Sequence, residues 1–477
     1  MRVDLHMHTG YSADAQYPQS VDDKIHACEQ AGLDIIGITN HLDFLRSGGT
    51  RDNRDPEACA REVWEKRRPA GNGGIEVLAG MEIGQLHATP DADDFVRTHP
   101  FDMVIGSLHA MPNDLDIYFH DFPNMDCDKF LHEYFDQLLL LEEHGGFDVL
   151  AHIDYPLRVM KHGDYVPSFD QYMDRVQQVL RTCIETFSPD VVHTHGSLSG
   201  RIAARLAGRC KTVYTKHTLS PPRRGIKGRA AAALDNRVTD AVIAVSRAAQ
   251  DNLLQDGLDP SKVFLIYNGI TGFSPAGPEQ KKRAREALGI PQGGIVAACV
   301  ARLEPVKNHR MLLEAFAQAA CGDGPPLTLL LCGDGSLRQP LEDLAARLPG
   351  GDKVLFLGER EDVAPVYAAA DFFVLTSHSE NMPLTVLEAM SAGLPALLSD
   401  VGGMSEAARE NETALFTAPQ DRQRTARALR ALADDSALRL RLGTAARARF
   451  EQTFTAQVFA RQTDSLYRKL VTGCEWE

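Results

Sequence analysis

The stretch Glu185-Thr-Phe-Ser-Pro-Asp-Val-Val-His-Thr-His195 divides this chain of 477 residues into two parts of different composition. Residues 1–185 contain 33 Asp and Glu against 15 Lys and Arg, a net charge of −18. The rest of the chain contains 32 acidic and 35 basic side chains, and 12 of the 17 histidines precede the division. This asymmetry predicts two modules of different character, and the length allows two or three domains that each bury a core.

Composition also limits the compartment and the classes of partner. The amino terminus is polar from Met1-Arg-Val-Asp onward, and no apolar run reaches the ~20 residues that span a bilayer, which predicts a cytoplasmic protein. The nine cysteines form no C-x-x-C pair, so we expect reduced thiols. A formal net charge of −15 argues against general nucleic-acid binding, which needs a basic face. The sequence leaves the oligomeric state open.

Short apolar runs alternate with amphipathic segments along the whole chain. Ile35-Ile-Gly-Ile38 and Met103-Val-Ile-Gly106 predict buried parallel strands, and residues 21–31 and 130–143 predict helices. The second part continues the pattern, with predicted strands at 190–195, 212–215, 241–245, 263–267, 295–300, 328–331, 354–357 and 372–375. This alternation predicts α/β folds built from strand-helix units, with residues 269–279 as a linker.

Histidines and a glutamate stand at the ends of successive predicted strands in the first part. His6 and His8 are two residues apart, so an extended segment places both on one face, where they can hold one metal ion. The further candidates, each after an apolar run, are His41, Glu82, His109 and His152. A strand cap explains any one of these histidines equally well, but six candidates at successive strand ends predict a site at the carboxyl mouth of a barrel. Imidazoles with a carboxylate suit zinc, manganese or iron.

Two longer stretches give the first part a family resemblance. Asp102-Met-Val-Ile-Gly-Ser-Leu-His109 and Asp148-Val-Leu-Ala-His-Ile-Asp-Tyr-Pro-Leu-Arg158 resemble the PHP superfamily, most closely its histidinol-phosphate phosphatase branch. The resemblance implies a distorted seven-stranded β/α barrel in residues 1–185, with a multinuclear metal centre that hydrolyses a phosphomonoester. It implies the six residues above as ligands, with Asp14 as a further contributor. Arg158 is either a phosphate clamp, because a guanidinium pairs with phosphate oxygens, or a solvated loop residue.

The first part departs from this family after His152. The family's late Ser-Asp-x-His segment, which supplies its last two ligands, has no counterpart here, nor do the closing strands of its barrel. We therefore expect weaker metal binding or the loss of one ion, and exposed strand edges. His193 and His195 are an alternative source of these ligands, although their sequence context belongs to the second part.

The second part carries a more specific pattern, Glu380-Asn-Met-Pro-Leu-Thr-Val-Leu-Glu388, the E-x7-E motif. With it, residues 188–470 resemble the family 4 retaining glycosyltransferases of GT-B architecture. The resemblance implies that Glu388 holds the ribose of a nucleotide-sugar donor and that Glu380 contacts the transferred sugar. The residues after Glu380 form a loop and the start of a helix, namely Asn381, Met382, Pro383 and Leu384. Their backbone N–H groups are natural donors to sugar or phosphate oxygens, except at Pro383, because proline has no N–H.

Five more residues match the same family. Arg302 and Lys307 match its basic pair, and two fixed cations can stabilise the diphosphate charge that develops as the donor breaks. The turn Gly333-Asp-Gly335 resembles the family's glycine turn near the nucleotide. His217 resembles the histidine that faces the reacting sugar, although a strand cap explains it nearly as well.

The sequence therefore predicts a fusion of two incomplete modules. Residues 1–185 form an incomplete PHP-type β/α barrel, and the rest forms a GT-B-like pair of Rossmann-type domains, at 186–274 and 275–477. The first domain of that pair is truncated, because the opening strands and glycine-rich turn of the family are missing. The domain at 275–477 is complete, so donor binding is better supported than transfer.

Three functions stay open. The first is transfer of a sugar from a nucleotide-sugar with retention of configuration, and the second is metal-dependent hydrolysis of a phosphomonoester such as histidinol phosphate. The third is a non-catalytic relic, or an assembly artefact, that only binds ligand. The expected partners are small molecules, including an unidentified acceptor. The basic loop 223–229 either contacts an anionic acceptor lipid at a membrane surface or a phosphorylated acceptor, or is a solvated loop.

Overall fold

The computed structural model describes residues 3–8, 20–31, 33, 35–44, 56–69, 75–111, 117, 120–151, 153, 155–162, 172–208, 210–291, 293–322, 324–360 and 362–473. The chain forms two compact units. The first unit comprises Met1–Val192 and Ser197–Cys210, and the second comprises His193–Gly196 and Lys211–Glu477. The predicted domain limits at 185 and 274 stay predictions.

The first unit is built on one parallel sheet. Its strands are β1 (Val3–Met7), β2 (Ile35–Asp43), β3 (Glu76–Gly84), β4 (Met103–Ser107) and β5 (Val149–Leu150), and they lie in the order β1-β2-β3-β4-β5. Its helices are α1 (Val21–Ala31), α2 (Pro56–Glu65), α3 (Pro90–Thr98), α4 (Cys127–His144), α5 (Tyr155–His162), α6 (Met173–Phe187) and α7 (Leu198–Ala207). Within the described residues this sheet is open, with β1 and β5 at its edges.

Strands β2 and β3 are longer than their apolar runs suggest. Each has nine residues, and the register pairs His41 of β2 directly with Glu82 of β3. The expectation that His41 and Glu82 follow their strands is therefore wrong, because both lie inside them. Polar residues can continue a buried strand when partners on the neighbouring strand satisfy them. His109 does follow its strand, β4, as predicted.

Helix packing continues across the predicted division at 185–195. The helix α6 buries Val176, Val179 and Ile184 on one face. Ile184 shares a hydrophobic cluster with Ala203 and Ala204 of α7, which comes after the division. The segment on both sides of the division therefore belongs to one packed helix pair.

The second unit contains two parallel sheets. The smaller sheet has the order β6-β7-β8-β9. Its strands are β6 (Val191–Thr194), β7 (Lys211–Lys216), β8 (Ala241–Ala244) and β9 (Val263–Leu265). Of β6, the second half belongs to this unit. Helices α8 (Gly225–Val238) and α9 (Arg247–Gln255) alternate with these strands. The larger sheet contains β10 (Ile295–Val300), β11 (Leu327–Cys332), β12 (Val354–Gly358), β13 (Phe372–Leu375), β14 (Ala396–Ser399) and β15 (Ala414–Thr417).

The order of the larger sheet, β12-β11-β10-β13-β14-β15, reverses between β10 and β13. Its nearly continuous apolar strands, such as β11, are typical of a sheet covered on both faces. The covering helices are α10 (Pro278–Ala287), α11 (His309–Ala320), α12 (Arg338–Arg347), α13 (Ala364–Ala369), α14 (Leu384–Ser391), α15 (Met404–Ala407), α16 (Arg422–Asp434) and α17 (Ser436–Thr453). The last helix, α18 (Ala456–Thr472), contacts β6 and β9 of the smaller sheet through Tyr467 and Lys469. The predicted α/β architecture is confirmed. Of the helices described, none combines the length and apolar character needed to cross a bilayer.

A buried carboxyl between α4 and α6 gives a test of this packing. Glu142 is fully buried and accepts a hydrogen bond from Cys183, and burial raises its pKa from 4.5 to about 7. As pH rises from about 4.5 to about 7, unfolded Glu142 loses its proton while folded Glu142 keeps it, so stability falls with pH in this window. We expect Glu142→Gln to remove this fall and to stabilise the chain by about 2 kcal/mol at pH 7.5.

Urea unfolding at about pH 5 and about pH 7.5 measures this difference. The matched control is Glu143→Gln, because Glu143 is the next residue of the same helix and is exposed. Equal pH dependence in the wild type and the Glu142→Gln variant would contradict the expected burial of a protonated carboxyl.

Candidate functional site

Each unit contains one candidate site at the carboxyl ends of parallel strands. In the second unit, the loops after β10 and β13 carry Lys307 and Glu380, whose Nζ and Oε1 are 2.6 Å apart. Ser377 donates a second hydrogen bond, also 2.6 Å long, to the same carboxylate oxygen. A reversal of strand order is the place where open α/β sheets bind ligands, so this ion pair marks the candidate donor site.

The turn that carries Lys307 is fixed by the residue after it. Asn308 has a φ of 58°, in the left-handed region that asparagine tolerates. Its side-chain amide donates to the carbonyl oxygens of Thr376 at 3.1 Å and Pro419 at 2.9 Å. These bonds hold the loop after β10 beside the loop after β13. Arg302, five residues before Lys307, is exposed.

The predicted glycine turn follows β11 and packs against the loop that contains Arg302. Gly333 has a φ of 139°, and a Cβ there would lie 2.1 Å from the carbonyl oxygen of Ala301. A Cβ at Gly335 would lie 2.8 Å from the carbonyl oxygen of Leu303. No larger residue fits such an approach without a shift of backbone, so the turn and the basic loop are parts of one site.

The side chain of Asn381 faces the protein. Its amide donates to the carbonyl oxygen of His217 at 3.0 Å, and its own carbonyl oxygen accepts a hydrogen bond from Ser246. Asn381 therefore ties the loop after β13 to the end of β7. The ligand contacts predicted for residues 381–384 fall to backbone N–H groups at the start of α14, which begins at Leu384 without a side-chain cap.

Glu388 lies on α14 and is held by a residue that the sequence analysis did not identify. The hydroxyl of Tyr367, on α13, donates to Glu388 Oε2 at 2.5 Å. The Tyr367 ring is buried and packs against Phe273 and Phe373. Burial raises the pKa of Glu388, and the hydrogen bond from Tyr367 partly offsets that rise. Burial and the carboxylate also raise the pKa of Tyr367, which keeps it a donor.

His217 is the last of three stacked imidazoles. The ring centroids of His193 and His195 are 5.0 Å apart, as are those of His195 and His217. His193 bonds through Nε2 to Thr215 and through Nδ1 to Tyr467. Burial and the neighbouring imidazoles lower the pKa of His193 to about 4, and burial and His195 lower that of His217. Both nitrogens of His193 are in use, which leaves neither for a metal ion.

In the first unit, four predicted metal ligands come together. His109 Nε2 lies 3.2 Å from one oxygen of Glu82, and His8 Nε2 lies 3.0 Å from the other. The ring centroids of His41 and His109 are 4.1 Å apart. His41, Glu82 and His109 are buried. Several imidazoles around a buried carboxylate fit a divalent transition metal.

Asp43 is a fifth member of this group, and the sequence analysis missed it. Its Oδ2 is 3.1 Å from His41 Nε2, and its Oδ1 is 3.7 Å from His109 Nδ1. Burial would raise the pKa of Asp43, but the two imidazoles outweigh it and lower the pKa. Burial would lower the pKa of His109, yet Asp43 and Glu82 raise it to about 10. The one sequence signal for Asp43 was its position two residues after His41, on the same face of a strand.

The other predicted residues of the first part cannot be placed in the same way. Asp14 and His152 lie outside the described residues. His6 lies on β1 and Arg158 on α5, and their side chains also lie outside the described part. Their roles stay predictions.

Comparisons with known families match both parts of the chain. The PHP domain model matches residues 4–192. The model described as Glycosyltransferase Family 4 matches residues 131–271, and the model described as Glycosyl transferases group 1 matches residues 280–449. The PHP and family 4 matches overlap at residues 131–192, which contain the predicted division.

Individual relatives agree with the glycosyltransferase matches. The chain is 31% identical over 317 residues to a D-inositol 3-phosphate glycosyltransferase of Corynebacterium urealyticum, a match that covers 60% of this chain and 72% of the relative. Two solved structures share the fold: a glycosyltransferase from Rickettsia africae at TM-score 0.58, and Anabaena HepE in complex with UDP and glucose at TM-score 0.53. The Rickettsia protein is 15% identical to this chain and its match covers 83% of the chain, and HepE is 21% identical with a match that covers 89%. Each match spans 98% of the solved structure. The chain belongs to the family 4 glycosyltransferases and carries a PHP domain in its first part.

The bond between Tyr367 and Glu388 predicts an effect on nucleotide binding. We expect Tyr367→Phe to weaken UDP binding about tenfold, because a hydrogen bond to a charged group contributes roughly 1.5–3 kcal/mol. Titration calorimetry with UDP measures the change. Tyr172→Phe is the matched control, because Tyr172 is also buried and donates to a carboxylate, that of Asp128, in the first unit. Unchanged UDP affinity in Tyr367→Phe would remove this role.

Proposed function

We propose that the second unit transfers a sugar from a nucleotide-sugar donor to an acceptor hydroxyl, with retention of configuration at the sugar's anomeric carbon. The observation that carries the proposal is the pairing of Lys307 with Glu380 where the strand order reverses, beside the glycine turn of Gly333. A cation, a carboxylate and a close backbone turn are the groups that a sugar diphosphate requires. The family membership of the chain supports the same reaction class.

The donor binds through residues of the larger sheet. The Glu388 carboxylate, oriented by Tyr367, accepts hydrogen bonds from the ribose hydroxyls. Lys307 and Arg302 contact the diphosphate, and Lys307 begins this step from its ion pair with Glu380. Because Glu380 then shares its cation with the phosphates, it is free to accept hydrogen bonds from hydroxyls of the transferred sugar.

The transfer follows from this placement. The bond between the anomeric carbon and the phosphate oxygen breaks, and its electron pair leaves on the diphosphate. Two fixed cations stabilise that charge as it develops. The acceptor oxygen bonds to the same face of the sugar, and its proton passes to the departing phosphate oxygen. We assign to His217, whose pKa is lowered by burial and by His195, a hydrogen bond to the reacting sugar.

The relatives suggest the substrates. UDP accompanies HepE, and the Corynebacterium relative is named for D-inositol 3-phosphate, so we propose a UDP-sugar donor and a phosphorylated polyol acceptor. In the basic loop, Arg223 is engaged by Asp235 at 2.6 Å. Arg224, Lys227 and Arg229 are exposed and could serve an anionic acceptor, whether a soluble phosphate or a lipid. Vesicle co-sedimentation separates these two sources.

Two substitutions test donor binding and transfer separately. We expect Glu388→Ala to weaken UDP binding at least tenfold, since it removes the ribose contact. We expect Lys307→Ala to lower turnover of UDP-glucose with D-inositol 3-phosphate by about 10²–10³-fold, because one electrostatic contact to the leaving group is lost. Calorimetry and release of UDP measure the two effects.

The controls are Glu286→Ala and Lys211→Ala, which remove exposed charges of the same types. A wild-type protein that binds UDP but transfers no sugar to any tested acceptor would favour the non-catalytic alternative. Full turnover in Lys307→Ala would contradict the assigned role of the lysine.

A second function is supported by the buried histidine and carboxylate cluster of the first unit. We propose that this unit hydrolyses a phosphomonoester, with His8, His41, His109 and Glu82 holding divalent transition metals. Metal ions held by these residues would polarise the phosphate ester and lower the pKa of a nearby water. The water oxygen would bond to phosphorus as the bond from phosphorus to the alcohol oxygen breaks, and the alcohol would leave with the proton that the water gives up.

Metal analysis tests this second function. We expect one or more zinc, manganese or iron ions per chain, and histidinol phosphate hydrolysis that chelation abolishes and metal restores. His109→Ala should lower both metal content and hydrolysis, since His109 lies at the centre of the cluster. His144→Ala is the control, because His144 is exposed on α4 and bonds to Asp93. Metal-free protein with unchanged hydrolysis would contradict the metal dependence, and metal-loaded protein that hydrolyses no phosphomonoester would contradict this function.

A further inference from the structure

We propose that Asp43 is itself a metal ligand, and that Asp43, His41 and His109 form a metal site that needs no residue beyond His109. This inference rests on the metal-dependent function proposed for the first unit. Ligand atoms of these three residues all lie within 4.8 Å of one another. Two imidazoles and one carboxylate around a common point are a recognised ligand set for zinc and iron, with further positions open for water or substrate.

The strand register explains how Asp43 reaches this position. His41 and Asp43 are two residues apart on β2, so both side chains lie on one face of the sheet. On β3, Glu82 stands opposite His41 and Gly84 stands opposite Asp43. The same face of two neighbouring strands therefore presents a histidine, two carboxylates and a glycine.

Gly84 leaves the space that the Asp43 carboxylate occupies. A Cβ at Gly84 would lie 1.7 Å from Asp43 Oδ1 and 3.6 Å from His109 Nδ1. Any side chain at position 84 would push the Asp43 carboxylate away from His109. The glycine is thus a local requirement for the position of the carboxylate.

The placement of the carboxylates distinguishes Asp43 from a simple hydrogen-bond partner. Each of the two carboxylates directs its two oxygens at two different imidazoles: Asp43 at His41 and His109, and Glu82 at His109 and His8. Glu82 is an expected ligand, and Asp43 has the equivalent position on the other side of His109. Its Oδ1 is 3.7 Å from His109 Nδ1, longer than a hydrogen bond and suited to two ligands of one ion.

This assignment bears on the incomplete barrel. The family's late Asp-x-His segment has no counterpart after His152, and its loss was expected to weaken metal binding. Asp43 supplies one carboxylate from a strand that the chain retains. The first unit then holds at least one ion with two residues of β2 and with His109, which follows β4.

Metal binding by full-length variants tests the inference. We expect Asp43→Asn to lose one ion per chain, or to bind Zn²⁺ at least 30-fold more weakly in calorimetry. The Gly84→Ala variant keeps the Asp43 carboxylate but displaces it, so we expect the same loss of metal binding. This comparison requires that the variant and the wild type unfold alike in the absence of metal. Asp91→Asn, an exposed carboxylate at the start of α3, is the control.

A spectroscopic readout separates a ligand from a residue that only orients His41. We expect Asp43→Cys loaded with Co²⁺ to show the near-ultraviolet sulfur-to-cobalt charge-transfer band that only direct coordination produces. The wild type loaded with Co²⁺ should lack it. A cobalt-loaded Asp43→Cys without this band, or Asp43→Asn with unchanged zinc affinity, would overturn the assignment while leaving the metal function intact. A wild type that binds neither ion would overturn both.

Discussion

Parallel strands deliver their following loops to one edge of a sheet, and both candidate sites depend on this constraint. In the larger sheet of the second unit, the reversal between β10 and β13 brings Lys307 beside Glu380, although 73 residues separate them in sequence. In the first unit, the register of β2 and β3 places His41 against Glu82. In each case the backbone direction decides which charged groups come close. The ion pairs that result are Lys307 with Glu380 in the second unit, and Asp43 with His41 and Glu82 with His109 in the first.

Several residues predicted to contact the donor are held in place by other groups of the protein. Tyr367 orients Glu388 from the core, Asn308 fixes the turn of Lys307, and the Asn381 amide binds the backbone of β7 instead of a ligand. Such preorganisation lowers the cost of binding a charged donor, because few side chains must be reordered. Within the E-x7-E motif, the side chain of Asn381 therefore holds the loop in position.

The boundary between the two parts of the chain falls at different residues in the structure and in the composition. The change of net charge falls at residue 185, whereas the first compact unit continues through α7, and the PHP and family 4 matches share residues 131–192. A strand followed by an amphipathic helix serves a β/α barrel and a GT-B domain equally well, so this segment satisfies both patterns. The packing of Ile184 against α7 gives the junction a core of its own.

Sequence alone determined the alternation of strands and helices, the E-x7-E motif and most of the histidine cluster, because each is a local pattern of period, spacing or residue type. It placed His41 after its strand, since no local signal showed that the strand continues to Asp43, the ion-pair partner of His41. Asp43 and Tyr367 emerged only from the tertiary structure. Glu388, the partner of Tyr367, and His109, one partner of Asp43, lie on other elements. For Asp43, a one-residue shift of β2 would turn the side chain to the other face of the sheet.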